Sequence, residues 1–222
     1  MKLEGKVINF LGDSITEGTG VTDTENNRYD NIIFREHKLK AVNNYGIGGT
    51  RIAHQEKPSE KPRYDLCFCG RAYNVDFNAD VTVIYGGVND YIHGDAPIGQ
   101  STDTTPATFW GGVNFLMNFF KSNYNGQVVF LTPAHGCLHG ISDEVISDRP
   151  MKKPDAMPLR NYVEIIKEAG NAHGVPVLDM FELPINVNNP DDREKYTIDG
   201  LHFNDEGHKI IAKYVGDFLL SI

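Results

Sequence analysis

The stretch KVINFLGDSITEG, residues 6–18, runs from an apolar segment directly into a small polar turn. Residues 6–11 have the length and the composition of a buried strand. Gly12, Asp13 and Ser14 are residue types that favour turns and helix N-caps. The segment by itself predicts a strand that ends in a turn, and the rest of the chain has to indicate what that turn does.

Four further apolar runs of strand length follow, namely KAVNNYG (40–46), DVTVIYGG (80–87), QVVFLTP (127–133) and VPVLDM (175–180). Helical periodicity lies between several of them, over 109–120 and 159–170, and again along a closing helix that begins near Asn204. Strands that are apolar on both faces and alternate with helices indicate a parallel sheet that is covered on both sides. We therefore expect a three-layer α/β/α sandwich with a mostly parallel five-stranded sheet.

Composition narrows the class of protein. The 222 residues carry a formal net charge of −9, which disfavours binding to nucleic acid or to anionic membranes. The three cysteines form no disulfide framework, and no apolar run is long enough to span a membrane. No linker or internal repeat divides the chain, and no signal-like segment is visible. We expect a single domain over residues 1–222 and a cytoplasmic location, whereas the oligomeric state stays open.

The loops after the strands are the place to look for a site, because ligands of open α/β sheets bind at the carboxyl ends of the strands. The segments that should share this edge are GDSITEG, GIGGTR, GGVNDYIHGD and PAHGCLHG. Residues 135–158 form a long stretch with little periodicity, which predicts a lid or a pocket wall. Residues 52–79 show no clear period and are expected to form an irregular excursion.

The residues at this edge match the needs of ester cleavage. Ser14 is the candidate nucleophile, and DGLH at 199–202 places Asp199 where it can orient a His202 base. The N–H groups of Ser14 and Gly49 and the side-chain amide of Asn89 are candidate donors to an oxyanion. The sequence therefore predicts a serine-hydrolase site that is assembled only by folding.

Four segments in this order resemble the SGNH hydrolases, also called the GDSL esterase/lipase family. They are GDSIT (12–16), NYGIGG (44–49), GGVND (86–90) and DGLH (199–202). The resemblance implies a flavodoxin-like sheet and hydrolysis of esters or thioesters through an acyl-enzyme. It also implies that no metal and no cofactor takes part, with Ser14 as nucleophile and Gly49 and Asn89 as oxyanion donors.

Other residues near the expected rim are candidates for contact with the substrate, namely Asp13, Tyr91, His135 and His139. The two histidines and the nearby acids at 143 and 144 could form a metal site or could contact polar groups of the substrate. The spacing of these residues matches no demanding ligand pattern, so no metal is predicted.

The sequence leaves the substrate open. Polar post-strand loops and the lack of a visible apolar lid helix favour a small polar ester, such as an acetylated carbohydrate. Lysophospholipase and acyl-thioesterase activity, or acyl transfer to an alcohol, would use the same residues. Exposed apolar side chains within 135–158 would favour a lipid. A non-catalytic binding module on the same fold is the alternative of another class, and a flavin-binding protein would leave Asp199, His202 and Asn89 unexplained.

Overall fold

The computed structural model describes residues 1–138, 141–147 and 152–222. The strands are β1 (Val7–Gly12), β2 (Ala41–Gly46), β3 (Val81–Tyr85), β4 (Gln127–Leu131) and β5 (Val177–Leu178). They form one sheet in the order β2-β1-β3-β4-β5, and each neighbouring pair is parallel. This order is that of flavodoxin-like sheets. The predicted five-stranded parallel sheet is therefore confirmed.

The helices of the described residues are α1 (Ser14–Glu17), α2 (Thr24–Asn27), α3 (Tyr29–Glu36), α4 (Phe68–Arg71), α5 (Val88–His93), α6 (Phe109–Asn123), α7 (Leu159–His173), α8 (Pro190–Tyr196) and α9 (Asp205–Ser221). Short 3-10 turns lie at Pro62–Asp65, Ala72–Asn74 and Met180–Glu182. The predicted closing helix is α9, and Asn204 caps it through its side chain. None of the helices within the described residues combines the length and the apolar character needed to cross a membrane.

Alternation along the strands divides the core into two layers. Ile8 and Phe10 of β1 pack on one face with α3 and α9, whereas Leu11 lies on the other face with α6 and α7. The same alternation holds in β3 and β4, because successive side chains of a strand point to opposite faces. Helices thus cover both faces of the sheet, which completes the predicted sandwich.

Strand β5 is shorter than the predicted run over 175–180. Only Val177–Leu178 is strand, although the carbonyl of Pro176 accepts from the N–H of Phe130 in β4 and that of Leu178 accepts from Thr132 just after it. Pro176 has no N–H to offer a ladder, and Asp179 caps the next 3-10 turn through its side chain. The ladder therefore stops after two residues at this edge of the sheet.

Candidate active site

Ser14 opens helix α1 at the carboxyl edge of the sheet, just beyond the end of β1. Asp13 caps this helix, since its carboxylate accepts a hydrogen bond from the N–H of Ile15 at 3.0 Å. The turn is tight, and a Cβ on Gly12 would lie 2.0 Å from Oγ1 of Thr16. Glycine at position 12 therefore lets the strand run straight into a helix that begins with a serine.

Ser14, His202 and Asp199 form one hydrogen-bonded chain. The Nε2 atom of His202 lies 3.0 Å from Oγ of Ser14, and its Nδ1 atom lies 2.6 Å from Oδ2 of Asp199. A carboxylate partner places the ring hydrogen on Nδ1 and leaves Nε2 as the acceptor for the serine hydroxyl. The arrangement is that of a nucleophile, a base and a group that orients the base.

The turn that carries Asp199 keeps its carboxylate charged. Oδ1 of Asp199 accepts from the backbone N–H of His202 at 2.8 Å and from that of Leu201 at 3.0 Å. Partial burial disfavours the charge, but the hydrogen bonds from the ring and backbone of His202 outweigh it and lower the pKa of Asp199 to about 2. Asp199 is therefore ionised across the neutral range.

The loop after β2 passes directly beside the serine. A Cβ built on Gly48 would stand 3.4 Å from Cβ of Ser14. The next residue, Gly49, has φ +78°, and a Cβ there would meet the ring of Tyr64 at 2.2 Å. The backbone N–H groups of Ser14 and Gly49 have no acceptor within the described ranges. Two backbone N–H groups in this part of the site are thus without an acceptor among the described residues.

Two charged side chains hold this loop in place. The carboxylate of Glu17 accepts from the N–H of Gly48 at 2.8 Å. The buried guanidinium of Arg71 donates to Oγ1 of Thr50 at 2.9 Å and to the carbonyl of Gly12 at 3.0 Å. Burial lowers the pKa of Arg71 to about 10, so it stays charged at neutral pH. The end of β1 and the loop after β2 are therefore tied together.

Asn89 places a side-chain donor on the neighbouring strand end. It is the second residue of α5, just after β3, and its Nδ2 donates to the carbonyl of Thr50 at 3.0 Å. The carboxylate of Asp90 accepts from the N–H groups of Ile52 at 2.9 Å and Ala53 at 3.0 Å. Burial raises the pKa of Asp90 to about 6. These bonds join the start of α5 to the segment that carries Gly49.

A narrow crevice lies at the ends of β1, β3 and β4 and is too tight to admit a water-sized sphere. Its lining is mostly apolar and consists of Asp13, Ile15, Tyr85, Gly86, Val88, Pro133, Ala134, His135, Leu201 and Phe203. Since this set includes the sequence neighbours of Ser14 and His202, the crevice borders the hydrogen-bonded chain. Burial raises the pKa of Asp13 to about 6.

His135, one of the residues expected to contact substrate, lines this crevice. Its ring packs at a tilt against Phe181 with 3.8 Å between the ring centroids, and its Nδ1 lies 2.8 Å from the buried carboxylate of Asp143. No group of three or more His, Cys, Asp or Glu side chains among the described residues could hold a metal ion. His135 is thus held as a paired ring at the edge of the crevice.

The other two expected contacts have different positions. The Tyr91 hydroxyl donates to the carbonyl of Val145 at 2.9 Å, and the tyrosine is buried against Tyr162. The structure therefore uses the Tyr91 hydroxyl to anchor the segment 141–147 over α5. His139 lies outside the described residues.

An open groove of about 590 Å³ borders the site at Asp199. Its lining combines charged, polar and apolar groups and consists of Cys137, Pro190, Arg193, Glu194, Thr197, Ile198, Asp199 and Gly200. The mostly apolar crevice and the more polar groove thus border different parts of the site formed by Ser14, His202 and Asp199.

The sequence analysis did not identify two residues that support Asn89, namely His93 and Arg51. His93 bonds to the Asn89 side chain, and Arg51 bonds to His93. The spacing of Asn89 and His93 by four residues on one helix was an available signal, since such residues lie on the same face. Nothing local pointed to Arg51, which comes from the loop after β2.

Comparison with known proteins places this geometry in context. The model of the GDSL-like Lipase/Acylhydrolase family matches residues 10–210. No curated protein sequence matches the chain. One solved structure is 25% identical, with a TM-score of 0.87 and coverage of 100% of this chain and 99% of the other.

Two further solved structures illustrate the range of similarity. A protein from Lactobacillus plantarum is 27% identical, with a TM-score of 0.80 and 98% of each chain covered. The acetyl xylan esterase AlAXEase is 23% identical, with a TM-score of 0.64 and coverage of 96% of this chain and 98% of the other. The likeness to the latter concerns the fold alone.

Proposed function

Because this chain belongs to the GDSL-like lipase/acylhydrolase family and is thus an ester-hydrolysing enzyme, we propose that it works as a serine esterase through an acyl-enzyme on Ser14. The observation that carries the proposal is the bonded chain from Oγ of Ser14 through His202 to Asp199. The proposed substrate of the enzyme is a small-molecule ester. We propose further that residues 1–222 act as one domain, since all five strands share one sheet.

The proposed reaction has two halves. In the first, Oγ of Ser14 attacks the acyl carbonyl carbon while its proton passes to Nε2 of His202, and Asp199 stabilises the resulting imidazolium. The tetrahedral adduct then collapses, the bond to the alcohol oxygen breaks, and His202 returns the proton to that oxygen. In the second half, water attacks the acyl-enzyme by the same proton transfers and releases the carboxylic acid and free Ser14.

The negative oxygen of each tetrahedral adduct needs donors that are already in place. The N–H groups of Ser14 and Gly49 and the second Nδ2 hydrogen of Asn89 are the proposed oxyanion hole. Glu17 and Arg71 hold the loop that bears Gly49. A hole held this rigidly needs little reorganisation during the reaction, and one such donor is worth on the order of 100-fold in turnover.

A short acyl group on a polar alcohol is the proposed substrate, with an acetylated carbohydrate favoured. The crevice that borders the site is too tight for a long acyl chain, which favours a short one. The groove at Asp199 offers Arg193, Glu194 and Thr197, which suit the hydroxyl groups of a sugar. The fold is also that of an enzyme described as an acetyl xylan esterase.

A second candidate substrate is a lipid such as a lysophospholipid, or an acyl thioester. Among the described residues between β4 and α7, four large apolar side chains are exposed, namely Ile141, Val145, Ile146 and Met157. Exposed apolar groups clustered along a loop are typical of surfaces that bind lipid or other apolar partners. These side chains belong to the stretch 135–158, where such exposure was expected to favour a lipid.

The first experiment compares the wild-type enzyme with Ser14→Ala on p-nitrophenyl esters of increasing acyl length and on an acetylated sugar. We expect the variant to lose at least about 1000-fold in kcat/KM, because Ser14 supplies the attacking oxygen in the proposed reaction. Ser122→Ala, an exposed serine on α6, is the matched control and should keep full activity.

The acyl profile then separates the two substrates. A sharp preference for acetyl with release of acetate from the sugar supports the carbohydrate ester, whereas rates that rise with chain length support the lipid. Equal rates for wild type and Ser14→Ala would contradict the proposed nucleophile and favour a non-catalytic binding module.

A further inference from the structure

The side-chain amide of Asn89 is held at both of its ends. Its Nδ2 donates to the carbonyl of Thr50 at 3.0 Å, and its Oδ1 lies 3.1 Å from Nε2 of His93. Asn89 is buried, so each of these bonds forms with little competition from water. The direction in which the free Nδ2 hydrogen points thus depends on Thr50 and His93.

His93 is in turn bonded to Arg51. An Nη1 hydrogen of Arg51 is directed at Nδ1 of His93 at 3.1 Å, and the same atom lies 3.4 Å from the carbonyl of His93. The guanidinium has only donors and does not deprotonate in proteins. Nδ1 of His93 must therefore accept, which places the hydrogen of the neutral ring on Nε2, facing Oδ1 of Asn89.

Arg51 is itself fixed by a set of acceptors. Its Nη2 donates to Oγ of Ser59 at 2.6 Å, to the carbonyl of Tyr64 at 3.0 Å and to the carboxylate of Asp65 at 2.9 Å. The side chain is almost completely buried. A buried planar group with this many bonds has one orientation, so its Nη1 donor is held in a fixed position beside the His93 ring.

The chain of bonds leaves Asn89 a single amide orientation. If the amide were flipped, Nδ2 would face the Nε2–H of His93, and Oδ1 would face the carbonyl of Thr50. Both contacts would be repulsive. If instead the His93 ring carried its hydrogen on Nδ1, two donors would oppose each other at Arg51, and the bare Nε2 would attract Nδ2 of Asn89 away from Ser14.

We propose that Arg51 and His93 are positioning residues that fix the tautomer and the amide orientation by which Asn89 donates to the oxyanion. The inference rests on the proposed function, because it assigns a purpose to a donor of the proposed oxyanion hole. The aligned donors from a cationic group also polarise the amide, and this strengthens the final N–H as a donor to negative charge.

The test uses His93→Phe and His93→Gln on p-nitrophenyl acetate. Phenylalanine keeps a ring beside Tyr64, whose centroid is 5.4 Å from that of His93, but removes both nitrogen atoms. Glutamine can accept from Arg51 and donate to Asn89. We expect His93→Phe to lower kcat by about 10-fold or more with little change in KM, since only stabilisation of the transition state is lost. His93→Gln should recover most of that loss.

A double-mutant cycle with Asn89→Ala separates positioning from a general structural effect. If His93 acts through Asn89, His93→Phe lowers kcat in the wild-type background but changes it less than about 2-fold in the Asn89→Ala background. Equal losses in both backgrounds, or no loss in the wild-type background, would overturn the proposal. Inhibition by a small alkylboronic acid, which forms a tetrahedral anion on serine, should weaken in parallel with kcat.

A spectroscopic measurement covers the case in which His93→Phe fails to fold. The nitrogen-15 shifts of the His93 ring in the wild-type enzyme, assigned by comparison with His93→Gln, should indicate a neutral ring with its hydrogen on Nε2. A hydrogen on Nδ1 would refute the inference whatever the kinetics of the variants. Failure of the proposed function is distinguishable, because it appears as wild-type activity that does not depend on Ser14.

Discussion

Two aspartates beside Ser14 have opposite environments. Asp13 is buried and its pKa is raised to about 6 by loss of solvation, although the N–H of Ile15 opposes this shift. Asp199 is only partly buried, and its bonds from His202 lower its pKa to about 2. At neutral pH the charge on Asp199 is stabilised while that on Asp13 costs stability. A stable charge on Asp199 suits the orientation of a base, whereas Asp13 serves as a helix cap.

The cost of the Asp13 charge leads to a prediction for Asp13→Asn. Asparagine keeps the cap to Ile15 but carries no charge. The raised pKa means that wild-type stability falls as the pH rises from about 4 through 6, because the folded state releases its proton later than the unfolded state. We therefore expect the variant to gain about 1–3 kcal/mol over wild type at pH 8, and much less at pH 4.5.

Urea unfolding of wild type and Asp13→Asn at both pH values measures this difference. Asp76→Asn is a suitable control, because Asp76 also accepts a bond from the N–H two residues ahead but is only partly buried. A stability difference between Asp13→Asn and wild type that does not depend on pH would contradict the assignment of a buried charge.

At the scale of elements, the site consists of short segments that leave parallel strands at the same edge of the sheet. The ends of β1, β2 and β3 contribute Ser14, Gly49 and Asn89 in turn, and the loop before α9 brings His202 over them. Hydrogen bonds between these segments fix their relative positions. For example, the carboxylate of Asp90 in α5 accepts from the N–H groups of Ile52 and Ala53 in the loop after β2.

The loop after β2 is predicted to be sensitive to a single methyl group. Gly49→Ala would place a non-glycine residue at φ +78° and a Cβ 2.2 Å from the ring of Tyr64. We expect a loss of roughly 1–2 kcal/mol from the backbone conformation alone and a further loss from the clash. Displacement of the Gly49 donor should lower kcat by about 10-fold or more.

Gly174→Ala is the matched control for this prediction. Gly174 ends α7 with φ +63°, and its Cβ would meet no atom within 4 Å. It therefore carries the backbone strain without the clash. Melting temperatures and kcat should show a modest loss of stability with full activity for Gly174→Ala. Full activity in Gly49→Ala as well would argue against the assigned donor.

Over the whole molecule, the layer of α3 and α9 contains a buried histidine that makes stability depend on pH. Nδ1 of His208 accepts from the N–H of Tyr29 at 3.2 Å, and its ring stacks on the Tyr29 ring. Burial lowers the pKa of His208 from 6.5 to about 4, although the nearby carboxylates of Asp30 and Asp205 favour the charged ring. The folded state therefore holds His208 neutral where the unfolded chain would protonate it.

The buried His208 makes the folded state less stable in acid. Because the folded pKa of His208 is lower than the unfolded pKa, stability is lost as the pH falls from about 6.5 towards 4, by up to about 3 kcal/mol. His208→Gln keeps an acceptor for Tyr29 but does not titrate. We expect its free energy of unfolding, relative to wild type, to rise between pH 7 and pH 4.5, as measured by urea unfolding. A constant difference would refute the prediction.

Much of the fold could be predicted from the sequence. The five apolar runs became the five strands, and the stripes at 109–120 and 159–170 became α6 and α7, because strand and helix periodicity are local properties of the chain. The family was predicted from four short segments and is confirmed by the match over residues 10–210. The roles of Ser14, Asp199 and His202 stay predictions until activity is measured.

Several features were decided only by the tertiary structure. The bonds from Arg51 to His93 and from His93 to Asn89, the anchoring of Tyr91 in the loop at 145 and the early end of β5 all depend on packing. The sequence alone determined which residue types stand at the strand ends, since turn chemistry and apolar periodicity involve near neighbours. Folding determined how their side chains pair, because a hydrogen bond between groups 42 or 188 positions apart exists only once the sheet has brought them together.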